Sequence, residues 1–518
     1  MLRSLALLGA VLVLAACAGG AGNGAAINPN DPNTLVVLAG SEVKDLEPMF
    51  PDVEKNTGVH LAVTYSGTLA GIDKLETGGE NDDVAWFAQD KYFALTDQHH
   101  LIKNSTKIML SPVILGVKES KARELHWASN SVTWADIERA VAAGRLKYAM
   151  TNPATSNSGF SAVVSVATAF TGSGDVVNAN SVNQQRLASF FSGQKLIAGS
   201  SGWLSDAYVN SQDTIDGIVN YESVLLALNH SGRLKEPLTL IYPRDGVLTA
   251  DYPMVLLNTA KSAAYEKVVN YLRSPAAQRA IMAQTYRRPI LPAVPLSPDF
   301  PKGVLVDTSF PNNRATIDQI LLAYLNKQRI PGHAYFVIDT SGSMDGERLN
   351  SVKTAFRVLT GEQNTLTARF ARFDDREQVT IIPFAADVKD RRDFEMHGRD
   401  DPRTFASIRS YADGLTADGA TAIYSALETA LDEAQHDPST RYDSIVLMTD
   451  GENNRGDGPN EFRTKYEHYQ RKVRIFPIVV GEASPEELTS IAELSGGRSF
   501  DARSAPMDEI FKEIRGYQ

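Results

Sequence analysis

The run Asp339-Thr340-Ser341-Gly342-Ser343 sets one carboxylate and two hydroxyls at alternate positions directly after the apolar stretch AYFVI. Alternate spacing at the end of a strand aims such side chains at one point, and the glycine permits a tight backbone there. Two further segments carry the same oxygen chemistry. Asp418-Gly-Ala-Thr421 stands at the start of a helical pattern, and Asp450-Gly451 closes the apolar run SIVLMT. Carboxylates, hydroxyls and water are the ligands a hard cation such as Mg²⁺ takes. Any one segment also reads as a polar turn, with the aspartate capping and the serines bonding to backbone. Three of them at the strand ends of one α/β domain favour a cation site, because ligands of an open α/β sheet sit beyond the carboxyl ends of its strands.

A second set lies in the first half of the chain. Gly40-Ser41, Ser66-Gly67-Thr68 and Ser156-Asn157-Ser158-Gly159 each stand where an apolar run gives way to a helical pattern. Helix N-termini carry unpaired N–H groups and partial positive charge, so three of them facing one cleft would suit an anion. Each alone reads as an ordinary N-cap. No arginine lies in these loops to neutralise a charged ligand. Signals for catalysis are poor. Ser41-Glu-Val-Lys44 fits S-x-x-K, but the companion K-T-G and S-D-N elements are absent. His99 and His100 are adjacent and face different ways on any regular element, and no G-x-S-x-G, H-E-x-x-H or P-loop occurs. The chain is expected to be a binding protein, not an enzyme, with no catalytic residues.

The elements that must position these residues alternate. LVVLAGSEV, VHLAVTYSGT, DDVAWFA and SPVILGV read as strands, WADIERAVAAGR as an amphipathic helix, and LKYAMTNPATSNSGFSAVVSVATAF as strand, polar loop and helix. Helical segments are expected around 184–194 and 214–230, strands at LTLIYP and YPMVLLN, and one helix over 261–284. A proline-rich connector follows, then a helix over 315–328. From His333 the alternation restarts and runs to a terminal helix over 506–515. Alternating strands and helices imply α/β architecture with a parallel-rich sheet covered on both faces.

The whole chain sets limits. At 518 residues it exceeds one ordinary core. With 51 Lys+Arg against 62 Asp+Glu the net charge is -11, and no basic run offsets it, which argues against nucleic acid as a partner. Arg3 followed by the apolar Leu5–Ala16 has the form and length of a signal peptide, too short to span a bilayer. Cys17 is the single cysteine, so stability must come from packing, without disulfides.

Three resemblances follow from these residues. Leu14-Ala15-Ala16-Cys17 resembles the lipobox of bacterial lipoproteins, which implies a signal peptide over 1–16, lipid attachment at Cys17, and an anchor and flexible tether over 17–33. DTSGSM, DGAT and MTDGE, in this order, resemble the metal-ion-dependent adhesion site (MIDAS) of a von Willebrand factor A domain, here over 330–518. That resemblance implies a Rossmann-like fold. Ser341, Ser343 and Thr421 would ligate Mg²⁺ (or Mn²⁺ or Ca²⁺) largely directly, Asp339 and Asp450 mostly through water, and an open position would take an Asp or Glu of a partner protein. Ala420 departs from the glycine common there. TNPATSNSGFSA and YPRDGVLTADYPMVLL, with the element order, resemble a bacterial extracellular solute-binding protein of the two-lobed, type II periplasmic-binding kind over 34–298, joined by a connector over 299–329. One lobe would be 34–110 plus 245–298 and the other the middle, with strands near SPVILGV and LTLIYP as hinge. Ser41, Ser66, Thr68, Ser156, Ser158, Tyr221 and Tyr252 would contact the solute. Together these imply a cell-membrane, lipid-anchored protein on the extracytoplasmic face that binds a partner through a metal and senses or binds a small ligand. The alternative is a transport receptor delivering a small solute, for instance an anion, to an ABC-type permease.

Overall fold

The aliphatic run TLVVLAG has no polar alternation, and it forms the strand Thr34–Gly40, buried along nearly its whole length. Unbroken apolar strands of this kind belong to sheets covered on both faces. It pairs in parallel with His60–Ser66 and Val84–Trp86, and Pro253–Leu256 and Asn104–Lys107 complete a five-stranded sheet. The computed structural model describes residues 31–78, 81–127, 131–171, 181–301, 305–363, 365–437 and 440–518. The expected signal peptide, Cys17 and the tether through residue 30 lie outside the described residues. Among the described residues no helix is long and apolar enough to cross a membrane.

A second sheet is built on the long strand Met109–Lys118, in the order Thr249–Ala250, Met109–Lys118, Gly217–Tyr221, Tyr148–Thr151, Gln194–Ala198. The two sheets are the cores of two lobes. The chain passes from the first to the second between Lys107 and Met109 and returns between Ala250 and Pro253. The return falls there and not at LTLIYP, because Leu238–Ile241 pairs with Leu115–Lys118 inside the second sheet. Two expected helices also differ. Residues 214–230 are not one helix: Gly217–Tyr221 is a strand and Glu222–His230 a helix. The five strand residues are all buried between two neighbours, and a short, wholly buried run carries no period to separate strand from helix. The helix expected over 261–284 is two, Ser262–Leu272 and Pro275–Thr285. Pro275 cannot donate an N–H to a continuing helix but suits the first turn of a new one, and Ser274 Oγ caps it by accepting from Ala277 N at 3.2 Å.

The C-terminal domain holds a six-stranded sheet in the order Arg392–Glu395, Gln378–Phe384, Gly332–Asp339, Tyr442–Thr449, Arg474–Val479, Phe500–Asp501. All pairs are parallel except the Arg392–Glu395 edge. The chain leaves the wholly buried strand Gly332–Asp339 toward one side and comes back to its other side as Tyr442–Thr449. The carboxyl ends of these two strands therefore flank the switch point where α/β sheets open a crevice. One face is covered by the helices Glu347–Leu359 and Met507–Ile514, through Phe336, Phe356 and Phe511. The other is covered by Ile423–His436, through Tyr335, Val337 and Leu427. The first of these apolar clusters runs on without a break into the N-terminal domain.

Candidate functional site

At the switch point three loops meet. Asp339 ends its strand fully buried. Its Oδ1 accepts from Ser341 N at 2.7 Å and its Oδ2 from Thr449 Oγ1 at 2.6 Å, so the carboxylate folds the loop back on itself and ties it to the neighbouring strand. Ser341 Oγ and Ser343 Oγ lie 3.1 Å apart, and Ser343 Oγ donates to Asp450 Oδ1 at 2.7 Å. The middle loop is pinned by Gly342 N donating to Gly419 O at 3.1 Å, where Gly419 takes φ +87°, a conformation that suits glycine. Thr421 N donates to Asn454 Oδ1 at 2.9 Å, and Asn454 N to Thr421 O at 3.0 Å. Asp339, Ser341, Ser343, Thr421 and Asp450 are thus brought to one crevice.

Burial pushes the Asp339 carboxyl above its usual range; hydrogen bonds from Thr449 and Ser341 oppose the rise, and the Asp450 charge adds to it. One cationic group stands beside the crevice that the motif did not reveal. Arg348, on the helix that follows the first loop, donates through Nη1 to Asp450 Oδ2 and, at 3.1 Å, to Ser343 O. Two carboxylates and three hydroxyls, with no sulfur or imidazole, form a hard-oxygen donor set that fits Mg²⁺, Mn²⁺ or Ca²⁺. Beside it runs an open groove of ≈ 690 Å³ lined by Thr340, Lys389, Arg392, Phe394, Tyr411 and Leu415 among others. At the opposite edge of the sheet His333, Asp437 and Asp443 place ligand-type atoms within 4.8 Å of one another. There His333 Nδ1 meets Asp437 at 3.0 Å, Nε2 meets Thr380 at 2.8 Å, and Arg471 meets Asp443 at 2.6 Å, so these groups already pair among themselves.

In the N-terminal domain a cavity of ≈ 670 Å³ lies between the lobes. Ser41, Ser66, Thr68 and Ser156 line it. Three helices of eight or more residues begin on it, Thr68–Glu76, Asn157–Ala169 and Ser201–Asn210, and no side chain caps any of the three. Thr68 Oγ1 is buried and has no hydrogen-bond partner. Ser158, by contrast, is fully buried behind the wall, bonded to Thr151 at 2.8 Å and Ser201 at 2.7 Å. Tyr221 also lies behind the wall. Its hydroxyl donates to Glu42 Oε1 at 3.1 Å and accepts from Asn157 Nδ2 at 2.9 Å, so it positions two residues that do line the cavity. Tyr252 is buried beneath Arg287, 4.6 Å from the guanidinium, at φ +41°. Burial raises the Glu42 carboxyl above its usual range, against the pull of its hydrogen bonds and of Arg287.

The lobes touch across the cleft. Gln89 of one donates to Asn157 Oδ1 of the other at 2.6 Å, and a β-carbon at Gly67 would stand 3.3 Å from Thr155 O. Glu42, Asn157, Ser200 and Trp203 were not read from the sequence as cavity residues. The junction IAGSSGW holds the same strand-to-helix cue that marked Ser66-Gly67-Thr68, and it pointed to Ser200.

Comparison with known families agrees with this architecture. Residues 35–287 match the family model described as bacterial extracellular solute-binding protein, and residues 334–513 match the von Willebrand factor type A domain. The chain therefore joins a periplasmic-binding-protein-like region to a Rossmann-like von Willebrand factor A region. Among curated proteins, an uncharacterized protein of Synechocystis is 32% identical over 130 residues, 25% of this chain and 27% of that one; the chain spans about a quarter of that relative's length. Among solved structures, the periplasmic binding protein AfuA from Actinobacillus pleuropneumoniae, with fructose-6-phosphate bound, is 12% identical with a TM-score of 0.45, covering 56% of this chain and 97% of that one. A von Willebrand factor type A protein from Catenulispora acidiphila is 20% identical with a TM-score of 0.30, covering 36% of this chain and 43% of that one.

Proposed function

We propose that this chain is an extracytoplasmic binding protein, anchored by lipid at Cys17, that captures a partner protein at a divalent-cation site of its C-terminal domain and holds a small anionic solute between the lobes of its N-terminal domain. The observation that carries the first part is the convergence of Asp339, Ser341, Ser343, Thr421 and Asp450 from three loops on one sheet edge. Ser341, Ser343 and Thr421 would hold the cation by their hydroxyls, and Asp339 and Asp450 would balance its charge. A bound cation would supply an open coordination position for a carboxylate of the partner. The groove beside the site, with Lys389 and Arg392 on its wall, suits an acidic protein surface.

The solute part rests on the three uncapped helix N-termini around one cavity, whose free N–H groups favour negative charge, and on Thr68, which lines the cavity and whose buried hydroxyl has no hydrogen-bond partner. Calorimetric titration of Mg²⁺ and Mn²⁺ into the protein tests the metal reading. Heat that disappears in Asp339→Ala/Ser341→Ala supports it, and equal heat in both proteins sinks it.

A further inference from the structure

The cavity between the lobes has a third wall, and the other domain supplies it. Arg498, Glu509, Ile510, Lys512 and Glu513 border the same space as Ser66 and Ser156. The helix Met507–Ile514 is two-faced: Met507, Ile510, Phe511 and Ile514 are buried, and Phe511 stacks on Phe336 of the central strand at 5.7 Å. Its charged positions turn toward the cavity. Beyond it the chain enters the second lobe. Tyr517 meets Trp203 edge-on at 4.7 Å, Asn152 Nδ2 donates to Arg515 O at 3.3 Å, and Arg474 Nη1 donates to Ile197 O at 2.9 Å.

This approach needs glycine on both sides. A β-carbon at Gly516 would stand 2.9 Å from Gly199 Cα, and one at Gly199 would stand 3.0 Å from the Tyr517 ring. The first lobe is held as well, since the helix Leu366–Ala371 packs against Thr68–Glu76. The C-terminal domain therefore spans the mouth and touches both lobes. On its own side the tail is fixed by buried charge. Arg515 Nη2 donates to Glu377 Oε2 at 2.7 Å, Arg329 pairs with the same carboxylate, and Arg329 Nη1 donates to Gln518 O at 2.8 Å.

We propose that the C-terminal domain is the lid of the solute cavity: the helix Met507–Ile514 and the Gly516–Tyr517 tail seal the space between the lobes, and exchange of the solute requires that domain to lift away. The occupant follows from the reading of the cavity as an anion site. The lid itself stands on contacts that do not depend on any occupant. A solute touching the lid strengthens its docking by the same factor by which docking strengthens solute binding.

The test uses the full chain carrying Cys17→Ser, with Ser66→Cys as the single thiol inside the cavity, and follows its modification by a small maleimide. Slow labelling that accelerates at least tenfold when Tyr517→Ala and Arg474→Ala are added is the expected result. Equal rates with and without the two substitutions overturn the lid. A second variant guards against misfolding of that protein. In Cys17→Ser/Ser66→Cys with Trp203→Ala, which trims the same seam from the second lobe, labelling should accelerate as well, and unchanged labelling there overturns the docked arrangement. Slow labelling of Ser66→Cys, with no sulfate or phosphate bound by the Cys17→Ser protein that keeps Ser66, leaves the lid and removes the solute reading. Fast labelling with retained binding does the reverse.

Discussion

The candidate cation site and the cavity are assembled in opposite ways. The first takes every side chain from loops at one edge of one sheet, two of them following directly on buried parallel strands and the third, with Thr421, leading into the helix Ile423–His436 that covers the sheet, so its geometry is set once that sheet and its covering helix exist. The second takes its walls from two lobes and a separate domain, and its geometry exists only when all three dock. Charge differs as well. The candidate cation site gathers Asp339 and Asp450 beside Arg348, whereas the cavity wall mixes Glu42, Asp73, Asp206, Glu509 and Glu513 with Lys44, Lys74, Arg498 and Lys512. A site made by one sheet edge should respond to substitution locally. A site made by docking should respond to changes far from it.

The largest test of that contrast is Glu377→Ala. It leaves Arg329 and Arg515 with Asp374 alone, at 3.5 and 3.7 Å, and removing one partner of a buried ion network in this way costs about 3–5 kcal/mol. Urea unfolding should show the loss, and labelling of Ser66→Cys should accelerate although residue 377 lies in the other domain. Unchanged labelling would break the link between tail and cavity. Thr421→Val comes next. It keeps the shape and removes one oxygen, and Mg²⁺ affinity measured by calorimetry should fall by roughly 10–100-fold while sulfate binding stays as it was.

Thr68→Val should act the other way round. The lost hydrogen bond to a charged ligand is worth about 1.5 kcal/mol, roughly a tenfold drop in sulfate affinity, with Mg²⁺ heats unchanged. The smallest effect concerns pH. Burial raises the Glu42 carboxyl above its usual range, so its neutral form persists in the folded chain after an exposed glutamate has ionised. Sulfate keeps its charge over this range, so its affinity should be full at low pH and decline as pH rises through the elevated Glu42 value. In Glu42→Gln the same titrations from pH 5 to pH 8 should be flat; a decline that survives the substitution would assign the effect elsewhere.

What could be read from the residues follows the same division. Asp339, Ser341 and Ser343 stand at alternate positions after one strand, Asp450-Gly451 repeats the cue after another, and Asp418–Thr421 stands at a helix start, so the candidate cation site is legible as a pattern. Arg348 was not, because an arginine at the second position of an amphipathic helix looks like any surface charge. In the cavity Ser41, Ser66, Thr68 and Ser156 stood at visible strand-to-helix junctions. Ser158 carried the same cue, yet the first turn of its helix directs the hydroxyl inward to Thr151 and Ser201. Trp203, Arg498 and Tyr517 had no local mark, since nothing in a sequence pairs residues that meet only when domains dock. The strand Gly217–Tyr221 escaped for a related reason: its burial comes from two flanking strands distant in the chain, and its composition is as apolar as that of the helix after it.

The hydrogen bond between Asn152 and Arg515 joins residues 363 positions apart. Closing so long a loop is entropically demanding, and contacts of that range form after local ones. A chain made from its first residue onward completes both lobes well before the helix and tail that cover them have been polymerised. The nascent protein therefore passes through a stage with an open cleft and a bare apolar face around Trp203. That face is where a holding chaperone, or an early-arriving solute, would meet the chain.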